Sequence, residues 1–283
     1  MKKLLGSLMV IALLSAVLMV GCNGPIPVSP KNSNPTPTKT ITATPTSTPT
    51  NLNGYTSTPT VSPTAQAAQA PLTLQTAGNY AVLAASGITD AGEILCGDIG
   101  EYPGSTETGT PYTFAATCAS SVANIGTAPA SIAQAALTLA YNDALGRLNP
   151  VAIPTVTVGD MGGQSIPPGL YYSGSTIGIT GAVTLDGNGI ANPIFIFQIG
   201  SGLTTATGSQ VVLKGTATAP NVYWQVGSSA TLGPGSFLAG TLMAYTSITF
   251  NTGAALQGRV LAMGGGAVGG AVVFDGSNSI TTP

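Results

Sequence analysis

A mainly β chain wound as a solenoid is the fold class this sequence predicts, and three observations carry it. Beyond residue 160 the chain is a succession of short apolar-alternating segments, among them AVTLDGNG, PIFIFQIGSG, QVVLKG, NVYWQVGSS, SITFNTG and AVVFDG, each stopped by Gly, Asn or Pro. Two lines recur. FQIGSGLTTATG resembles WQVGSSATLGPG with Gln198 and Gln225 in step, 27 residues apart, and GTLMAYTSITFNTGAALQ aligns with GRVLAMGGGAVGGAVVFD at an offset of 18, from Gly240 to Gly258. Repetition on this scale marks stacked coils, and three short strands with glycine at the corners fill 18 residues. A β-sandwich is the competing arrangement. The period and the poor hairpin chemistry weigh against it.

In chain order, residues 1–21 read as an export signal: Lys2 and Lys3 precede an apolar run from Leu4 to Val20. The ending LMVGC resembles the lipobox of prokaryotic lipoproteins, in which a cysteine after a small residue becomes the lipidated terminus, so Cys22 is expected to carry lipid and to hold the protein at the cell surface. A retained membrane anchor is the alternative. Residues 22–70 form a tether. Positions 23–70 hold 9 Pro and 12 Thr with no apolar periodicity, a composition that stays extended and solvated. At roughly 3.1 Å per residue in polyproline geometry it spans up to about 150 Å. With Cys22 lipidated, Cys96 and Cys118 remain. Outside the cytosol they are expected to pair, the alternative being two buried free thiols.

The folded domain is placed at 71–283. One helix is expected over 131–148, because Ala133, Ala136, Leu137, Ala140, Ala144 and Leu148 recur at spacings of three and four, with Ser131 as N-cap and Asn149-Pro150 as the stop. Its alanine-rich face suits close packing. From residue 71 the chain carries three basic residues (Arg147, Lys214, Arg259) against nine acids, a net of −6. No basic patch is available for phosphates, so nucleic acid is not expected as a partner. Histidine is absent, which removes the commonest general base and metal ligand. No enzyme activity, cofactor or metal is expected, and the chain reads as a monomer.

One four-residue pattern recurs: SGIT (Ser86–Thr89), GAVT (Gly181–Thr184), SGLT (Ser201–Thr204), SSAT (Ser228–Thr231), TSIT (Thr246–Thr249) and GAVV (Gly270–Val273). The third position is apolar and faces inward, so strand parity sends the second and fourth outward. The outward column is then Gly87/Thr89, Ala182/Thr184, Gly202/Thr204, Ser229/Thr231, Ser247/Thr249 and Ala271/Val273. It contains no charged residue, which is unusual for a solvated strand face. A flat array of methyls and hydroxyls lacks the concavity that grips a small ligand and suits a planar, repetitive, neutral partner.

TAGNYAVLAASGIT, CGDIG, GLYY, IFIFQIG, VYWQVG and TGAALQGRVLA resemble, in order, the DUF3494 family of microbial ice-binding proteins across essentially all of 71–283. The resemblance implies a discontinuous right-handed β-helix of triangular cross-section with the long helix alongside, and a cap insertion at 97–130 pinned by Cys96 and Cys118. It implies that the first strand slots among the C-terminal coils, bringing Ser86–Thr89 into the column, and that a flat face with a loose Thr-Ala/Gly-x-Thr/Asn motif meets ice. Here TSIT and SGIT are the nearest matches, so Ser86 and Thr246 join the expected site. Few coils keep Thr at the first position, and the coil MGGGAVGGAVVFD is long and ends without Thr at Val273. The expected function is adsorption to ice, slowing its growth and recrystallisation or anchoring the cell to it. The alternative is a cell-surface adhesin or structural solenoid for a protein or glycan, with Tyr171, Tyr172, Tyr223 and Trp224 as a candidate aromatic groove.

Overall fold

Short alternating segments too brief to stand alone bury their apolar sides only by stacking, and the chain does this as a three-walled β-helix. The computed structural model describes residues 66–155, 157–264 and 269–282. The export signal, the lipidation at Cys22 and the tether as far as residue 65 lie outside the described residues.

Every pairing between strands of this unit is parallel, across a 15-stranded and a seven-stranded sheet. The parallel pairing excludes the sandwich, whose strands run antiparallel. The 15-stranded sheet forms two of the walls, because the strands Phe237–Ala244 and Ala255–Ala262 turn a corner within their length. Gly240 and Gly258 pair in register at this corner, at φ +117° and +150°. A Cβ on Gly258 would collide with the Gly240 carbonyl oxygen, so only glycine lets the two backbones bend together.

The 27-residue repeat is a true coil: Gln198 pairs with Gln225 and Leu203 with Ala230. The 18-residue repeat holds from Gly240/Gly258 to Ala244/Ala262. It then breaks, because Ile248 pairs with Val272, 24 positions on. The first strands return to the C-terminal coils, as expected: Val82 and Leu83 pair with Val260 and Leu261, and Gly87–Thr89 with Ala271–Val273.

The segment after Cys96 is itself wound as one more coil. Asp98–Glu101 continues the first wall, Glu107–Thr110 the seven-stranded wall, Thr113–Phe114 the third wall, and Ala123–Ile125 returns to the first. Cys96 and Cys118 form a disulfide across this coil, with Cα atoms 5.2 Å apart.

Inside, aromatic rings stack in register. Tyr171 lies on Phe197 with centroids 5.4 Å apart, and Phe197 on Trp224 at 4.2 Å. The Trp224 indole Nε1 donates to the Ala239 carbonyl at 2.9 Å, which satisfies its one polar atom. Such offset stacks add to the stabilisation from burial alone.

The helix runs Ala128–Gly146, with Thr127 at the N-cap and a proline in its first turn. It starts three residues before the expected Ser131, because Pro129 suits an opening turn, and it ends before Leu148, which is 80 % exposed. Ala130, Ala133, Ala136, Leu137, Ala140 and Ala144 pack against Leu170, Ile196, Tyr223 and Met243 of the first wall. The two glutamines that stood in step point out of the core into this contact. Gln198 Nε2 donates to the carbonyls of Ala144, Leu145 and Arg147 at 2.7–3.2 Å, meeting acceptors that a helix C-terminus leaves unsatisfied. Gln225 Nε2 donates to the Tyr141 hydroxyl at 2.8 Å, which donates to Val226 O at 3.1 Å. The helix thus covers one wall and, among the described residues, leaves the seven-stranded wall bare.

Candidate functional site

The bare wall has the strand order Ile177–Ile179, Leu203–Thr205, Ala230–Leu232, Ile248–Phe250, Ala271–Phe274, Gly87–Ala91 and Glu107–Thr110. Ile177, Leu203, Ala230, Ile248, Val272 and Ile88 are all at most 1 % exposed and fill the core beneath it. Parity sends their neighbours outward. Register then sets one outward column as Gly178, Thr204, Thr231, Thr249, Val273, Thr89 and Thr108. A second column, one pleat away, runs through Gly202, Ser229, Ser247, Ala271 and Gly87. Neither column holds a charged side chain.

Hydroxyls of the second column touch along the axis. Ser229 Oγ and Ser247 Oγ share a hydrogen bond at 3.0 Å, and at the far edge Thr176 Oγ1, level with Gly202, donates to Ser201 Oγ of the first position at 3.2 Å. Backbone bonds from Ser228 to Ser201, from Thr246 to Ser228 and from Ser86 to Gly270 continue the ladder at the first position of the four-residue pattern. Ser86 and Thr246 therefore line the corner where the wall begins. The array has strand spacing of about 4.8 Å in one direction and a side-chain repeat of roughly 6.6–6.8 Å in the other.

Gly87, Thr89, Gly202, Thr204, Ser229, Thr231, Ser247, Thr249 and Ala271 are brought together on this wall. Ala182 and Thr184 are not. Their strand, Ala182–Asp186, belongs to the third wall, where Ala182 pairs with Gln210 and Thr184 with Val212 and Ser165. Gly181, at φ +74°, turns the chain past the corner first. That third wall is irregular outside: Phe237 and Ile94 are exposed, and Lys214 pairs with Asp186 at 2.9 Å.

The first coil reaches the bare wall through Thr176 and Gly178, which sequence reasoning missed. Spacing held the signal. Val183 lies only 20 positions before Leu203 whereas the repeat demands 26 or 27, and Ile177 meets that demand. Thr108 and Thr110 were missed too, in a segment whose alternation is too short to register.

The aromatic groove that would favour the adhesin alternative does not form. Tyr171 and Trp224 belong to the interior, Tyr223 lies under the helix, and Tyr172 alone of the four is exposed. No group of three or more His, Cys, Asp or Glu side chains among the described residues is placed to hold a metal ion.

Charge lies behind the wall. Asp90 alternates inward from Thr89 and is buried, as are Glu93 and Glu101. Burial, then a hydrogen bond to Glu93, then the fields of Glu93, Glu107 and Glu101 push the Asp90 carboxyl up to about 8. Burial raises Glu101 and Glu107 as well. A carboxyl that holds its proton more tightly when folded contributes stability that is complete at acid pH. That contribution is lost as pH climbs from the ordinary 3.8 through about 8. The thermal midpoint is therefore expected to fall across this window, and Asp90→Asn to flatten the fall. A wild-type midpoint indifferent to pH there would contradict the burial of these acids.

A family model described as ice-binding-like matches residues 82–272. An ice-binding protein of Nostoc sp. (strain HG1) is 40 % identical over 196 residues, covering 68 % of this chain and 69 % of that protein. Another, of Flavobacterium frigoris (strain PS1), is 31 % identical over 200 residues, covering 67 % and 71 %. Among solved structures, an ice binding protein from an Antarctic biological consortium superposes with a TM-score of 0.70 at 39 % identity, covering 79 % of this chain and 96 % of that one. One from the Antarctic ascomycete Antarctomyces psychrotrophicus gives 0.66 at 32 % identity, covering 75 % and 98 %.

Proposed function

The chain belongs to the ice-binding-like family, and from that premise we propose that it adsorbs to ice through the bare seven-stranded wall. The observation that carries this reading is the uncharged double column of Thr, Ser, Gly and Ala, interrupted by Val273, in continuous register. Thr204, Thr231, Thr249 and Thr89 each offer a hydroxyl beside a methyl, at intervals set by the parallel ladder. Water over such a surface is held at hydroxyls and kept in cages at methyls, so its order is two-dimensional and fixed by the backbone. Little entropy is lost on contact, because the coils hold the array rigid beforehand. Adsorbed molecules make the ice front bulge between them, which slows growth and blocks recrystallisation.

The N-terminal reading completes the picture. A signal over residues 1–21, lipid on Cys22 and a Thr/Pro tether would display the domain away from the envelope, free to meet ice outside the cell. Its support is the composition of those residues.

Recrystallisation of fine-grained ice in the presence of purified protein tests the ice reading. Growth of large grains is expected to stop with wild type and with Thr184→Tyr, whose side chain is on the third wall. If wild type leaves grain growth unchanged, the wall has another partner.

A further inference from the structure

The bare wall does not end with the strand Gly87–Ala91. Glu107–Thr110 pairs with it in parallel, setting Thr89 beside Thr108 and Ala91 beside Thr110. We infer that this strand, inside the segment that closes the end of the solenoid, is a seventh rung of the ice-contacting plane, and that Thr108 and Thr110 are contact residues. The inference rests on the ice-adsorption reading of the wall and deepens it.

Four features carry it. The outward residues of the rung are both threonine, while Glu107 is in register with the inward Ile88, so parity turns its carboxylate away from the plane. The threonine column, interrupted at Val273, resumes at Thr89 and reaches Thr108, so the rung doubles the hydroxyls beyond the interruption. The strand ends the sheet order, and its edge is guarded by its shortness and by Glu107 on the inward register rather than by an outward Lys or Pro, which leaves the plane itself uncharged.

The rung is also held in place, as a lattice contact requires. Gly109 sits at φ +108°, and a Cβ there would collide with the Asp90 carbonyl oxygen, so glycine lets the strand lie close against its neighbour. Thr106 N donates to Glu101 Oε1 at 2.9 Å, and Gly104 N to Ala85 O at 2.8 Å. On the far side Thr113 N donates to Glu93 O at 2.9 Å. Seven rungs make six intervals, a plane about 29 Å across at about 4.8 Å each.

Thr108→Tyr, Thr113→Tyr and Thr249→Tyr, each in the full chain, separate the outcomes. Thr113 belongs to the same coil but to the third wall. The expected result is that Thr108→Tyr needs a several-fold higher concentration than wild type to block recrystallisation, at an unchanged thermal midpoint, while Thr113→Tyr matches wild type. If Thr249→Tyr loses activity and Thr108→Tyr keeps it, the rung is outside the contact and the inference fails with the ice reading intact. Equal losses in Thr108→Tyr and Thr113→Tyr would trace the effect to disturbance of the coil and overturn the inference as well. Should Thr108→Tyr lower the midpoint, Thr110→Tyr on the same strand takes its place under the same criteria. If Thr249→Tyr and Thr108→Tyr both behave as wild type, it is the ice reading of the wall that falls.

Discussion

Tyrosine in place of Thr249 is expected to abolish ice shaping while the protein unfolds at the same temperature. Thr249 lies in the middle of the seven-stranded wall, with Thr231 on one side and Val273 on the other. Its neighbours in the chain, Ile248 and Phe250, point the other way and are fully buried. A phenol ring at this position would stand above the methyls and hydroxyls of adjacent rungs and hold an ice plane off all of them. The loss would therefore exceed that of one hydroxyl, because the contact is collective. The core side is untouched, and surface changes of this kind usually move stability by no more than about 0.5 kcal/mol. Crystal shape under the microscope and a thermal melt read the two halves of the expectation. Normal shaping by this variant would place the contact on another wall.

The largest effect on stability is expected from Trp224→Ala. Trp224 is fully buried, stacks on Phe197 at 4.2 Å, and satisfies the Ala239 carbonyl with its indole nitrogen. Truncating a buried aromatic to alanine costs about 3–5 kcal/mol through lost contacts and the cavity left behind. At about 2–4 °C per kcal/mol for a unit of this size, the midpoint should drop by roughly 6–20 °C. Trp224→Phe should recover part of the loss, since one ring remains to stack on Phe197 while the hydrogen bond and the volume of the second ring go. A drop of a degree or less for Trp224→Ala would mean that the aromatic stack does not hold the coils together. The two variants form a pair: one removes the contact and spares the fold, and the other weakens the fold through a residue that ice never meets.

Much of this was legible in the residues because a solenoid writes its geometry along the chain. Gln198 and Gln225 stand 27 positions apart because each reaches across the same wall to the same helix, and the spacing is the coil. The inward Ile, Leu and Ala of SGIT, SGLT, SSAT and TSIT were readable for the same reason, since alternation separates core from surface one residue at a time. GAVT was misread. Its pattern satisfies the local rule equally well, but Gly181 turns the corner before it, and local alternation carries no information about which wall a strand joins. The helix boundaries slipped for a related reason: Thr127 and Pro129 open it earlier than its apolar periodicity suggests.

What the sequence by itself determined is the class of object: stacked short strands, an alanine-faced helix, an uncharged Thr/Ser column, and an acidic domain. These follow from composition, period and parity, which are local properties. Only the tertiary structure decided which columns share a wall, that the segment after Cys96 forms a further coil, and that Thr176 and Gly178 replace Ala182 and Thr184. Those facts depend on register between strands far apart in the chain, as where Thr89 meets Val273. Register is set by how whole coils pack and where corners fall, which no single stretch of residues specifies.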